Sequence, residues 1–346
     1  MGRLFLYLGD DVLMANDHLE FKQQLDLFLS RGMISLNCEE DALKLEHIPY
    51  YKLKEFAEFY ATKSEDANGT TVINYNGVSF SDVLKRYYQD KNLRIFLLHA
   101  IEKIEISLKN KIAYVLGKQH GPFGYLKFAN WCNREEYCKH YLHAKQEKLK
   151  SKIRKEIRKN KKNAPNEVSI KSQECNGQLP VWLMVNLLTF GGAIEILELM
   201  SHKNIKKVAN AYGSTPNEFI SHMKCFHLIR NLCAHNEKVI DLELKSTPSI
   251  PSRYKDIFYI TRSGAKTKRM AVPIMLIAKY TSSINPQYKT MNIIRTVKSI
   301  CSSEKLAKQF GFLDKDAMKK AMCMITPKNY KKKKRRKSKI STKENT

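Results

Sequence analysis

Residues 90–114 read DKNLRIFLLHAIEKIEISLKNKIAY. Leu93, Phe96, Leu97, Ile101, Ile104, Leu108 and Ile112 recur at steps of three and four, with charged and polar residues between them. That spacing lays one apolar stripe along an α-helix and predicts a single long amphipathic helix. The helical pattern reaches back to Ser81 through Val83, Leu84, Tyr87 and Tyr88. It ends near Leu116, where Gly117, Gly121, Pro122 and Gly124 stop any helix.

The same period recurs on both sides. Residues 18–62 read as helices carrying Phe21, Leu25, Phe28 and Leu29, then Leu43, Leu45, Tyr50, Tyr51, Leu53, Phe56 and Phe59. Between 64 and 80 short β-prone runs flank an Asn76-Gly77 pair, which predicts a small hairpin or an ordered loop. Downstream, helices are expected over 145–162, 181–200 (a pair meeting near Gly191-Gly192), 203–212, from Asn217 onward, 272–283 and 289–311. Ser214 or Thr215 caps the helix that Pro216 starts. Strand signals are so sparse that the class is all-α. The organisation expected is an extension over 1–17, a helical domain over 18–327 and a basic tail over 328–346.

The 346 residues are 43% apolar and carry a formal charge of +27, so a polyanion is the default partner. Eight scattered cysteines without paired spacing read as reduced thiols in a cytoplasmic protein. The amino terminus MGRLFLYLGDDVLMA has too short an apolar run for a secretory leader. The longest apolar run, 180–200, contains Asn186, Glu195 and Glu198, and each carboxylate at bilayer depth costs about 2.5 kcal/mol or more, so no membrane span is expected.

The segment that carries chemistry is HLIRNLCAHNEKVID, residues 227–241. The helix from Asn217 is expected to bury Phe219, Ile220, Met223, Phe226, Leu228, Ile229 and Leu232. Asn231 and His235, four residues apart, share one face, and Arg230 lies about 140° from His235, so arginine and histidine flank one groove. RNA cleavage by a 2′-hydroxyl needs a proton shuttle, which histidine supplies, and a fixed cation for the pentavalent phosphate, which arginine supplies. That chemistry requires no metal and no cofactor. A lone histidine on a partly apolar helix is more often structural, and local chemistry alone favours that bland reading.

RNLCAH resembles the arginine, polar residue and histidine pattern of HEPN-domain ribonucleases. The chain around it resembles the Abi-like family of bacterial phage-defence proteins, of AbiD/AbiF type, at LSRGMISL (29–36), IPYYKLKEF (48–56), the long helix (90–114), LPVWLMVNLLTFGGA (179–193), IRNLCAHNEKV (229–239) and KQFGFLDKDA (308–317). The resemblance implies an all-helical HEPN-like bundle and a metal-independent site built from two motifs across a homodimer. In that site Arg230 clamps phosphate, Asn231 orients and His235 is acid or base. It also implies a toxin-like defence role with a small structured noncoding RNA as partner. Supporting positions are Glu102 and Glu105, which can reach Arg230, and two departures from the family pattern: Asn186 where glutamate is usual and Lys109 where arginine is usual.

Residues 145–162 hold ten Lys or Arg against two Glu. Lys150, Lys152, Arg154, Lys155, Arg158 and Lys159 are the candidate RNA contacts there. The tail adds Lys331, Lys332, Lys333, Lys334, Arg335, Arg336 and Lys337, with Tyr330 as a base-stacking aromatic, and is expected to be disordered when free. A third basic cluster spans 263–269. Such runs are often only solubilising, but three separated patches favour a polyanion footprint. Cys132, Cys138, His140 and His143 match no common zinc spacing. Cys225 with His227, and Cys233 with His235, point apart on a helix and make no thiol-imidazole pair. The leading expectation is an RNA-binding HEPN-type endoribonuclease of abortive infection. The alternative is a non-catalytic ribonucleoprotein component in which the motif is structural.

Overall fold

The computed structural model describes residues 18–65, 71–161, 166–261 and 263–326. The chain divides into two compact units, Met1–Asn92 and Leu93–Thr346. The extension over 1–17 and the tail over 328–346 lie outside the described residues.

The first unit opens with α1 (Phe21–Ser30), whose start is fixed by a capping box between Glu20 and Gln23. Gly32 ends it with φ +82, and a Cβ there would sit 2.8 Å from Asn74 Oδ1, so only glycine suits the position. Two short helices follow, α2 (Cys38–Leu45), capped by Asn37, and α3 (Tyr50–Ala57). The expected hairpin is present as β1 (Thr62–Glu65) antiparallel to β2 (Thr71–Asn74), with Thr62 opposite Asn74. The Asn76-Gly77 pair is not its turn. Both residues have positive φ and make the bend that leads out of β2 toward the next helix. Leu25, Phe28, Leu53, Phe56 and Val83 are wholly buried in this unit, each worth about 1.5–3 kcal/mol of removed apolar surface.

The long helix is α4 (Phe80–His120), 41 residues without a break. Of the stripe read from sequence, Leu93, Leu97, Ile101, Ile104, Leu108 and Ile112 are fully buried, while Phe96, at its edge, is half-buried. In the second unit α5 (Lys139–Lys161) carries the basic run, followed by α6 (Glu167–Glu174) and α7 (Val181–Met184) with a 3-10 turn over Val185–Leu187. Next come α8 (Phe190–Leu199), α9 (His202–Asn210) and α10 (Pro216–Ala234). The unit closes with α11 (Ala271–Ile284), α12 (Met291–Ile300), α13 (Glu304–Phe310) and α14 (Lys315–Met324). The fold is all-α, and β1 with β2 is the one sheet among the described residues.

Three helix boundaries differ from the sequence reading. The long helix does not stop at Gly117 but continues through it for one more turn to His120, ahead of Gly121 with its positive φ. The 181–200 run does not bend at Gly191-Gly192. It breaks at Leu188-Thr189, because the Thr189 hydroxyl accepts from the Gly192 N–H at 3.1 Å and starts α8 there. The 289–311 run is two helices, since Ser303 accepts from Leu306 N–H at 3.3 Å and opens α13 after α12 has ended at Ile300. No helix among the described residues is long and apolar enough to cross a membrane.

Candidate functional site

The motif sits on α10, which packs beside α8, α9 and α11. Thr215 and Glu218 form a capping box at its start, with Pro216 in the first turn where a missing N–H costs nothing. Phe219, Met223, Phe226 and Ile229 are completely buried and fix the rotation of the helix. Leu228, expected among them, is instead 44% exposed, and Ile220 and Leu232 are half-buried. The apolar stripe is narrower than the composition of the segment suggests, which leaves a polar flank for the motif.

The helix ends before His235. Glu237 N–H donates to Leu232 O at 2.9 Å, Asn236 N–H donates to Cys233 O at 3.4 Å, and Asn236 has φ +59. These are the two bonds and the left-handed residue of a Schellman turn, with asparagine in the place usually taken by glycine. Arg94, buried on α4, donates to Asn236 Oδ1 at 2.8 Å and pins the turn. His235 is therefore the capping residue, its imidazole exposed at the end of α10 and without a hydrogen bond to the described residues.

Arg230 and Asn231 belong to a connected polar row. Lys109 Nζ donates to Glu105 Oε1 at 2.7 Å, and the second Glu105 oxygen lies 4.0 Å from Arg230 Nε. Arg230 Nη1 donates to Asn231 Oδ1 at 3.1 Å, and Asn231 Nδ2 lies 3.2 Å from His227 Nε2. Glu105 and Lys109 are each 14% exposed at the side chain, whereas Arg230 is 40% exposed. The row thus runs from a largely covered ion pair out to a partly solvent-facing guanidinium. Burial, and after it the nearby Arg230 charge, holds the His227 imidazole below the usual histidine range, while Glu105 pulls weakly the other way.

Other residues singled out from sequence fall elsewhere. Glu102 is exposed on α4 and Asn186 is exposed on the turn after α7; neither forms a hydrogen bond to the motif. On α5 the basic residues take two faces. Lys145, Lys148 and Lys152 line a cleft of about 180 Å³ against Thr189, Gly192 and Glu195 of the α8 end, and Lys145 is paired with Glu195 at 2.5 Å. Arg154, Lys155, Arg158 and Lys159 line an outer surface. Lys150 pairs with Glu147 and Lys159 with Glu156, each at 2.9 Å; Arg154, Lys155 and Arg158 form no ion pair with the described residues. The 263–269 cluster borders a cleft of about 510 Å³ with Lys266, Lys268, Arg269 and Lys308. Lys331, Lys332, Lys333, Lys334, Arg335, Arg336 and Lys337, with Tyr330, lie outside the described residues.

Among the described residues no three His, Cys, Asp or Glu side chains are gathered as metal ligands. Cys132 is buried, Cys138 is exposed, and burial pushes the thiols of Cys132 and Cys225 up to about 12, far from a nucleophile's range.

Sequence reasoning weighed His227 only against Cys225 and did not place it beside Asn231. The signal was present: His227 and Asn231 are four apart on one helix, the spacing that brings side chains together.

No curated protein and no solved structure matches this chain. A family model does match, that of the Abi-like proteins, over residues 43–241. The matched stretch is more than half of the chain, begins in α2, takes in the whole of α4 through α10, and ends just after the turn that holds His235. On that match the chain belongs to the Abi-like protein family.

Proposed function

We propose that this chain is an abortive-infection effector that holds a structured RNA on its basic surface and cleaves RNA at a HEPN-type site. The observation that carries the reading is the end of α10. An exposed imidazole at the helix cap shares that end with an arginine whose Nη1 is hydrogen-bonded to Asn231, whose Nε faces the Glu105 carboxylate at 4.0 Å and whose Nη2 has no partner among the described residues. A guanidinium fixed in this way offers two N–H groups to a phosphate without first losing rotamer freedom. In the reaction the 2′-oxygen attacks the adjacent phosphorus, His235 accepts the 2′-hydroxyl proton or delivers one to the departing 5′-oxygen, and Arg230 stabilises the added negative charge.

Acid and base roles call for two imidazoles, so a second copy of the chain, bringing its own Arg230 and His235, completes the site. Membership of the Abi-like family supports the defence role, and Arg154, Lys155 and Arg158 on α5, without an ion pair among the described residues, support RNA as the bound polyanion. Such an enzyme needs restraint, and a cognate noncoding RNA held by those cations supplies it in the manner of a toxin and its antitoxin.

One observation favours a non-catalytic reading: Arg230 already has Glu105 and Asn231 as partners, as a purely structural arginine would. The test is growth of cells expressing the wild type beside Arg230→Ala and His235→Ala, with the co-purified RNA sequenced. On the enzymatic reading both variants relieve toxicity, lose cleavage by about 100-fold or more and retain the same RNA. If the wild type is harmless and the variants change only bound RNA or folded yield, the motif is structural.

A further inference from the structure

We infer that His227 is a positioning residue of the site: its unprotonated Nε2 holds the Asn231 amide in one orientation, and the amide fixes the guanidinium plane of Arg230. The inference rests on the ribonuclease reading for its kinetic consequence, but its structural content stands apart from it.

The argument is one of donors and acceptors. A guanidinium can only donate, so the Asn231 atom 3.1 Å from Arg230 Nη1 must be the carbonyl oxygen. The amide NH2 then faces His227 Nε2 at 3.2 Å, and because an NH2 group only donates, Nε2 must accept. His227 is accordingly neutral with its proton on Nδ1. Were Nε2 to carry a proton, two donors would meet. Turning the amide over would repair that contact only by pointing NH2 at Arg230, so one of the two bonds is lost in either case.

The surroundings maintain this state. From α8 the edge-on ring of Phe190, 5.8 Å from His227 between centroids, and the bare Gly191 close over the imidazole. A Cβ at Gly191 would come within 3.0 Å of Nε2, so the glycine leaves just enough room for the accepting nitrogen. The charged groups that face the ring are Arg230 on its own helix and Glu105 on α4. Neither Phe190 nor Gly191 offers an alternative hydrogen-bond partner through its side chain. His227 has no route to the reacting phosphate on this account; it acts through Asn231 and Arg230.

The test uses the full chain and two readouts. In the first, the imidazole nitrogens and the Arg230 guanidinium are followed by 15N NMR. The wild type should show a pyridine-type Nε2 and a protonated Nδ1 for His227 at neutral pH. Rotation of the Arg230 guanidinium should quicken by about 10-fold or more in His227→Phe, which keeps a ring but has no acceptor, and return toward the wild-type rate in His227→Gln, whose carbonyl can accept. In the second, RNA cleavage should lose about 10-fold or more in kcat in His227→Phe with KM within about two-fold, and His227→Gln should recover most of it. A proton found on His227 Nε2 in the wild type, or a folded His227→Phe chain with unchanged Arg230 rotation, overturns the inference. Should the Phe variant fail to fold, the wild-type tautomer still decides. If the wild type cleaves no RNA, the ribonuclease reading falls while the NMR result judges His227 separately.

Discussion

At the scale of single residues, Asn236 shows how a backbone angle places a catalytic candidate. Its φ of +59 closes the Schellman turn that leaves His235 exposed at the end of α10, and its side-chain oxygen takes a hydrogen bond from the buried Arg94. The two contributions separate by substitution. Asn236→Gly keeps the left-handed backbone at no steric cost but removes one acceptor from Arg94. Asn236→Ala removes the same acceptor and adds a left-handed penalty of roughly 1–2 kcal/mol. In urea unfolding Asn236→Ala should therefore be less stable than Asn236→Gly by about 1 kcal/mol or more. Equal stability would mean that the turn relaxes and that His235 is not held by it. Arg230, Asn231 and His235 were singled out in the sequence by the resemblance of RNLCAH to a known motif, since local chemistry alone favours a structural histidine there. His227 did not stand out, because a histidine three residues before an arginine fits no pattern for nucleophile, metal ligand or acid-base pair. Its role depends on Glu105 and Gly191, which come from helices more than thirty residues away in sequence.

At the scale of elements, the helices that could be read were those whose apolar residues keep a period. The stripe of α4 is visible from Leu93 to Ile112 and is buried as its spacing demands, except at Phe96 on its edge. The 181–200 run was harder, since nearly every residue is apolar and the only mark of its break is the hydroxyl of Thr189. Nor could the pattern show that α10 carries a second, fully buried histidine with a tertiary purpose. His222 Nε2 lies 2.6 Å from Ser249 O, which can only accept, so that nitrogen carries the proton and Nδ1 accepts from the Tyr280 hydroxyl at 2.9 Å. Tyr280 in turn meets Ser214, to which Lys279 donates at 2.7 Å, and the chain ties α10 to α11. Burial, with the Lys279 charge beside it, lowers the His222 pKa to about 4. A lowered histidine pKa means that the unfolded chain binds a proton the folded chain refuses. The contribution to stability is thus complete above about 6.5 and is lost as pH falls toward 4, by up to roughly 3 kcal/mol. His227, lowered in the same direction, adds to the slope. Melting temperature should fall between pH 7 and pH 5, and fall less steeply in His222→Gln. Parallel pH curves for the two chains would show that the buried histidine is not the sensor.

At the scale of the whole molecule, the formal charge of +27 has to be resolved into cations that meet a ligand and cations that only solvate. On α5, Lys145, Lys150 and Lys159 have carboxylate partners, so part of the run is neutralised within the fold. Arg154, Lys155 and Arg158 have no carboxylate partner among the described residues, and they share the outer surface of one helix. Each phosphate neutralised releases condensed counterions, so these three residues should account for about two to three units in the slope of log affinity against log salt. Arg154→Glu, Lys155→Glu and Arg158→Glu together should lower that slope by this amount, with affinity falling most at low salt. They should leave the melting temperature nearly unchanged, because none of the three is buried. The same measurement on a chain ending at residue 327 reports separately on Lys331 to Lys337. If the triple variant keeps the wild-type slope while the shortened chain loses most of it, RNA is held by the tail and α5 is a solvated face. If the triple variant loses it, the bound RNA lies along α5, whose other basic face borders the cleft against the end of α8. That helix end also carries Gly191, against which the His227 ring is packed, so RNA held on α5 is brought to the helix that closes over the motif.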